Sequence, residues 1–274
     1  MCIRKKITNA ALFLLTVSVI VGYQAMVFAG IPGEDIVLAL RARQVIVGFE
    51  DGTMRWEEGL TRAQAAKIMA TAMGLYEEIE KSLSLQDMFP DVPRAHWAFA
   101  TVNLAGELGL VKGFPDGTFK PDRKVTKAEY AVMLSRMYSA LGGFPAGGTQ
   151  VPAFEPMWAV EEISQCSDLV SALSLKPGDS LDYEIPRAEA ANFTYTLMDR
   201  FGLLFDIEGT VLDASSGKIT VRPYGSVENV AIKATGQTKY IQDGNPVPQP
   251  ESFLGKEVRI ILGRDRSCAL VSLR

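Results

Sequence analysis

Three cations, Arg62, Lys127 and Arg187, stand directly after the residues at which the sequence reads as starting a helix. A positive charge there opposes the helix dipole, so its presence asks for an explanation from outside the helix. One explanation is a ligand: the first turn presents free amides, and amides together with a cation are what a protein offers a carboxylate. The other is a solvated first-turn charge with no partner. Any anionic ligand must meet local cationic pockets, because the chain as a whole carries a net charge of −4 over 274 residues.

The elements that position these cations are legible. Thr61-Arg-Ala-Gln64 and Thr126-Lys-Ala-Glu129 both have the spacing of a capping box, which predicts helices beginning at Thr61 and Thr126. Behind them Ala66, Met69, Ala70 and Met73, and Ala131, Leu134 and Tyr138, form the apolar stripe of a buried helix face. Ahead of each lies one and the same turn, Gly48-Phe-Glu-Asp51-Gly-Thr53 and Gly113-Phe-Pro-Asp116-Gly-Thr118, at a constant offset of 65 residues. Asp-Gly supplies a tight turn, Gly through positive φ and Asp through a bond to nearby backbone. Phe49 and Phe114 are expected to anchor these loops in the core.

The repeat extends further. Ile31–Arg43 reads as a short helix feeding the first turn, and Met88–Gly109 as a turn followed by a helix opening near Trp97. Ile185-Pro-Arg-Ala-Glu189 aligns with Val125–Glu129 at an offset of 60, with Phe154 and Trp158 standing for Phe89 and Trp97. This third copy is degenerate: Pro186 replaces the capping threonine, and Leu175–Ser180 is a weak substitute for the turn. Residues 142–152 read as a Gly- and Pro-rich connection.

From Ile207 the pattern changes to short β-rich runs at 209–212, 218–222, 227–233, 238–241, 257–262 and 267–273, separated by turn signals such as Asp243-Gly244-Asn245. About 65 residues of such strands suit a small closed barrel or compact sandwich.

The first 29 residues have the layout of a secretory signal peptide, with Arg4, Lys5 and Lys6, an apolar run, and a small-residue exit at Val27-Phe-Ala29. An uncleaved anchor is the alternative. Removing these three positive charges takes the net charge from −4 to −7, which disfavours general binding to a nucleic-acid backbone. Cys166 and Cys268 are expected as free thiols, since one distant pair is not a disulfide framework.

The Gly-Phe-x-Asp-Gly-Thr turn, the Thr-(Arg/Lys)-Ala-(Glu/Gln) helix start and the His96-Trp97 lead-in resemble S-layer homology domains, over roughly residues 31–205. The resemblance implies an α+β multidomain chain: a mainly α-helical, three-lobed body of tandem repeats, followed by the small β domain. The divisions are 1–29 for the signal peptide, 30–82, 83–145 and 146–205 for the repeats, and 206–274 for the β domain. It also implies a secreted protein held non-covalently on the bacterial cell wall, binding wall-linked polysaccharide, often through an acidic pyruvylated sugar, in grooves between adjacent units.

On that resemblance Arg62, Lys127 and Arg187 match the helix-start cation, with the Pro186 change putting the third in question. Thr61, Thr126, Gly48, Gly113, Asp51 and Asp116 match the motif's other positions. For the aspartates, local turn geometry without ligand contact is the competing reading. Trp97 and Trp158 are read either as sugar platforms or as core residues opening a helix.

Catalysis finds little support: the single histidine, His96, allows no histidine cluster, and neither a Gly-x-Ser-x-Gly elbow nor a phosphate-cradling loop is present. A carboxylate-pair glycoside hydrolase stays open, as such pairs have no fixed spacing. The Asp-Gly turns are poor in the alternating oxygen ligands a calcium loop needs. An envelope-assembly role through the β domain is a further alternative. No catalytic residue, metal or cofactor is assigned.

Overall fold

A computed structural model describes residues 31–81, 87–142, 155–164, 176, 178–215, 217–248 and 253–273. The segment expected as a signal peptide, the connection over 143–152, Phe154, Cys166 and Leu175 lie outside the described residues. The described helices are α1 (Glu34–Ala42), α2 (Arg62–Ala72), α3 (Tyr76–Lys81), α4 (Phe99–Glu107), α5 (Lys127–Ala140), α6 (Met157–Ser164) and α7 (Arg187–Arg200). Both capping boxes form: Thr61 and Thr126 accept from the amides of Gln64 and Glu129, whose side chains accept from the threonine amides in return. Pro186 precedes α7 without a side-chain cap.

The segments that lead into α2, α5 and α7 meet at one point. Leu60 N donates to Ile185 O (3.2 Å), Ile185 N to Val125 O (3.0 Å) and Val125 N to Leu60 O (2.9 Å), a closed cycle of three hydrogen bonds. The three side chains are fully buried. Around this cycle each helix start is sealed by the turn of a neighbour. Arg62 N and Ala63 N donate to Arg123 O and Pro121 O, Lys127 N and Ala128 N to Tyr183 O and Leu181 O, and Arg187 N and Ala188 N to Glu58 O and Trp56 O. Amides that a helix leaves unpaired are therefore taken by protein carbonyls. The start of α7, though it lacks a capping threonine, closes the ring with as many backbone bonds as the other two.

Beneath the cycle Tyr130, Phe99, Phe119, Phe193, Leu60 and Leu134 fill the core. The expectation for Phe49 and Phe114 needs correcting: both are only half-buried, and Phe119, packed against Phe89 at 5.2 Å, takes the anchoring place. Asp91 fixes that loop, its carboxylate accepting from Phe119 N (2.8 Å) and Lys120 N (2.7 Å).

The C-terminal part is one mixed sheet of β1 (Ile207–Ser215), β2 (Lys218–Pro223), β3 (Val230–Gln242), β4 (Asn245–Pro246), β5 (Glu257–Leu262) and β6 (Cys268–Leu273). Its order is β2-β1-β5-β6-β3-β4, with a further β2–β3 pairing. The runs expected at 227–233 and 238–241 are a single strand, β3. Its first half pairs with β2 and its second half with β6 in parallel, across a register shift between Ala234 and Lys239. A change of partner, not a turn, is what the polar stretch Thr235-Gly-Gln marks. Asp243 and Gly244 do turn, both at positive φ, into the short β4.

The sheet is fixed to the helices. Ile241, Ile261 and Leu270 belong to the helical core cluster. Arg43 donates to Leu204 O (2.8 Å) and pairs with Asp206 (3.0 Å), and Arg259 pairs with Asp199 (2.9 Å). Cys268 is a free, buried thiol, and burial pushes its pKa up to about 12.

Candidate functional site

The two Asp-Gly turns are superimposable in their bonding. Phe49 N donates to Thr53 O (2.8 Å) and Phe114 N to Thr118 O (2.7 Å), with Gly52 and Gly117 at φ +79 and +81. Asp51 accepts from the amide and hydroxyl of Thr53 (2.9 and 2.6 Å), and Asp116 from those of Thr118 (3.0 and 2.6 Å). The threonine hydroxyls first, then the amides, and then Arg55 and Lys120, lower both carboxyls to about 2. Gly113 is required by close approach: a Cβ there would lie 2.7 Å from the Phe89 ring. These turns are built by their own residues.

What the turns hold up is a pair of grooves of one pattern. Groove 1 is walled by Gly48 and Phe49 of the first turn, by Gln64, Lys67 and Ile68 of α2, by Trp97, and by Arg187. Groove 2 is walled by Gly113 and Phe114, by Glu129, Val132, Met133 and Arg136 of α5, by Trp158, and by Arg62. Groove 1 takes its turn and helix from the segment of α2, its tryptophan from the loop before α4 and its guanidinium from the start of α7; groove 2 takes them from the segment of α5, from α6 and from the start of α2. Each encloses about 160 Å³. Trp97 and Trp158 are 58% and 56% exposed, so the core reading does not describe them.

The guanidinium groups lie at the groove floors. Arg62 is 7% exposed and donates from Nε to Phe119 O (2.7 Å) and from Nη2 to Lys112 O (2.8 Å), stacked 4.7 Å from the Phe114 ring. Arg187 is 5% exposed and donates to Met54 O (2.9 Å) and Val47 O (3.3 Å), 5.0 Å from the Phe49 ring. Desolvation lowers the pKa of both, opposed at Arg62 chiefly by Glu129 and at Arg187 by Glu58. A cation at these helix starts is thus answered by the carbonyls of a neighbouring turn. Neither is a solvated first-turn charge, and the Pro186 substitution leaves Arg187 in place.

Lys127 is placed differently. Its Nζ pairs with Glu189 at 2.7 Å and lies 5.6 Å from the Tyr183 ring. Burial pulls its pKa down, but Glu189 and Tyr183 together outweigh this and raise it. It lines neither groove, and Thr61, Thr126, Asp51 and Asp116 do not line them either. The grooves therefore bring together six of the expected residues: Gly48, Trp97 and Arg187 in one, Gly113, Trp158 and Arg62 in the other. Phe49, Phe114, Gln64, Lys67, Glu129 and Arg136 were missed as site residues. The helical ones follow the caps at i+3 (Gln64, Glu129), i+6 (Lys67) and i+10 (Arg136), a stripe beside the buried one.

Both walls sum to a formal charge of +2, groove 1 from Arg187 and Lys67 and groove 2 from Arg62, Lys112 and Arg136 against Glu129, so the grooves differ in their acids and not in their sum. Groove 1 has Arg187 and Lys67 and, among the described residues, no carboxylate in its wall. In groove 2 Glu129 lies 4.0 Å from Arg62 and also pairs with Arg123, while Glu162 holds Arg136 at 2.7 Å and Lys112 at 3.9 Å. Arg136 in turn holds the Glu162 carboxyl below its usual range. Gln64 against Glu129 is the residue difference that matters most.

Comparison with known proteins gives the pattern a context. The S-layer homology domain profile matches residues 29–66 and 89–131. The chain is 38% identical over 103 residues to cell surface glycoprotein 1 of Acetivibrio thermocellus, covering 37% of this chain and 4% of that protein. It is 34% identical over 119 residues to the cellulosome-anchoring protein of the same organism, covering 42% and 26%. Against the middle cell wall protein of Brevibacillus brevis it is 33% identical over 142 residues, covering 52% and 12%. The chain thus spans about a quarter or less of the length of these relatives.

Proposed function

The chain carries tandem S-layer homology repeats, and on that premise we propose that it is a cell-surface protein that holds itself on the bacterial wall by binding an acidic wall polysaccharide in grooves 1 and 2. On this reading the units are three repeats over 30–82, 83–145 and 146–205 in a three-lobed body, a reading supported by the Leu60–Val125–Ile185 cycle that joins the segments before α2, α5 and α7. The observation that carries the reading is the recurrence of one wall pattern in both grooves: an exposed tryptophan facing a floor of guanidinium and half-buried phenylalanine. An exposed indole offers an apolar plane to a sugar face, and a buried guanidinium favours a carboxylate.

The contribution of the helix-start amides is dropped from this reading, because neighbouring carbonyls already occupy them. Groove 1, with no acid in its wall, is the stronger anion site. We read the C-terminal sheet as a small closed barrel, since its pairings run β1-β2-β3-β6-β5 and back to β1. The role is binding, with no catalytic step assigned.

Sedimentation of the protein with purified walls, before and after chemical removal of the wall-linked polymer, tests the proposal. Binding should be lost with the polymer. Equal binding to both preparations would sink the polysaccharide reading.

A further inference from the structure

Groove 1 does not end at its own walls. Val47 and Lys67 also line a second cavity of about 460 Å³, reaching Arg41, Tyr76, Glu80 and Arg264. Arg41 and Arg264 line a third, of about 830 Å³, where α1 faces β3 and the β5–β6 loop and where Lys239 lies. Each space shares two wall residues with the next, so the three lie in succession from groove 1 to the β domain and are called the trough below. Five cations line it (Arg187, Lys67, Arg41, Arg264 and Lys239) against two carboxylates, Glu80 and Asp265.

That balance runs against a chain whose net charge is −4. Glu80 is paired with Arg264 at 3.7 Å, in an exposed contact. Asp265 is turned inward onto its own loop, accepting from Ser267 N (3.0 Å) and Oγ (2.7 Å). Among the described residues, no carboxylate lies within ion-pair distance of Lys67, Arg41 or Lys239.

The topology of the β domain supplies an independent argument. Five strands pair in the cycle β1-β2-β3-β6-β5, with β3 and β6 parallel. This is the strand order of an OB-type barrel, in which the third and fifth barrel strands are the parallel pair. Such barrels bind oligosaccharides and oligonucleotides on the face of their second and third strands and through the loop joining the fourth and fifth. Here that loop is Gly263–Ser267, and it is this loop, with the second half of β3, that walls the seam cavity. The Arg43–Asp206 and Arg259–Asp199 pairs bridge the seam.

We infer that the β domain is part of the same receptor: one strand of polyanionic wall polymer runs from groove 1 through the trough, its later acidic units met by Arg41, Lys239 and Arg264. The inference rests on the polysaccharide reading above, and it specifies that the ligand is a polymer with anionic groups on several successive units.

The test uses wall polysaccharide purified from the source cells, depolymerised and sized into single-repeat and long fragments, titrated calorimetrically onto the protein. Long fragments should bind at least about tenfold tighter than single repeats. Reversing the two unpaired, exposed charges, Arg41→Glu with Lys239→Glu, should remove that advantage and change single-repeat affinity by less than about twofold. Trp97→Ala should weaken both lengths. Equal affinity of the wild type for both lengths, or full long-fragment affinity in the double variant, would overturn the trough while leaving groove binding intact. Failure of the wild type to bind either fragment would overturn the groove reading and the trough with it.

Discussion

Gln64→Glu separates ligand binding from architecture better than any truncation. Gln64 is the third residue of α2, where its side chain accepts from Thr61 N at 3.0 Å to complete the capping box. Glutamate completes the same box, and a negative charge in the first turn adds a favourable dipole interaction of about 0.3–1 kcal/mol. Stability should therefore stay level or rise slightly. Binding should fall, because the new carboxylate enters a wall that has none.

It would stand in the wall as Glu129 does in groove 2, 4.0 Å from a guanidinium, and the repulsion is worked for a separation of about 6 Å from an anion bound over Arg187. At an effective dielectric of about 20–40, two like charges at that distance repel by about 1.5–3 kcal/mol. This corresponds to about a ten- to hundredfold loss of affinity through groove 1. The reciprocal change, Glu129→Gln, should strengthen groove 2. Calorimetric titration with purified wall polysaccharide, beside thermal unfolding of each variant, reads both quantities. Wild-type affinity in both variants at unchanged stability would refute the charge argument.

Other consequences follow from the same geometry. Arg62→Met leaves Phe119 O and Lys112 O without their buried donor; the unfolding free energy should drop by about 2–4 kcal/mol, measured by urea denaturation, and a loss below about 0.5 kcal/mol would contradict the structural role. Removing Arg62 is for that reason not a clean test of binding. The carboxyls of Asp51 and Asp116 are lowered to about 2, so what they add to the turns is present above the ordinary aspartate pKa of about 3.9 and is lost as pH falls through about 2. The amide resonances of Thr53 and Thr118 should report midpoints near 2, and midpoints near 4 would show the turn bonds to be absent. Cys268 should resist alkylation in the native protein at pH 8 and react once it is unfolded; rapid native labelling would contradict its burial.

The helix starts were readable because they are local: a capping box declares itself in four residues, and both do. The helix start at Arg187 was readable from Arg187-Ala-Glu189 even without a capping threonine, because the Leu60–Val125–Ile185 cycle asks only for backbone and an apolar side chain. What could not be read was which partner answers each cation. Arg62 and Lys127 look equivalent in sequence, yet one is bound by carbonyls 50 and 57 residues away and the other by Glu189. Phe114 and Phe119 are likewise indistinguishable until the fold, with both rings 4.7 Å from the Arg62 guanidinium, leaves one half-buried in the groove wall and the other in the core. The merging of two expected strands into β3 was hidden because a strand that changes partners carries a polar, Gly-containing middle just as a turn does.

The groove account is tested most directly by tryptophan fluorescence. The chain has three tryptophans: Trp97 and Trp158 in the grooves, and Trp56, half-buried against the core. Titration of purified wall polysaccharide should shift and saturate the emission of the wild type, and the variant with Trp97→Phe and Trp158→Phe, which keeps Trp56 alone, should show no change. An unaltered wild-type spectrum while the protein still sediments with walls, or an equal shift in the Trp56-only variant, would contradict the placement of the ligand in the two grooves.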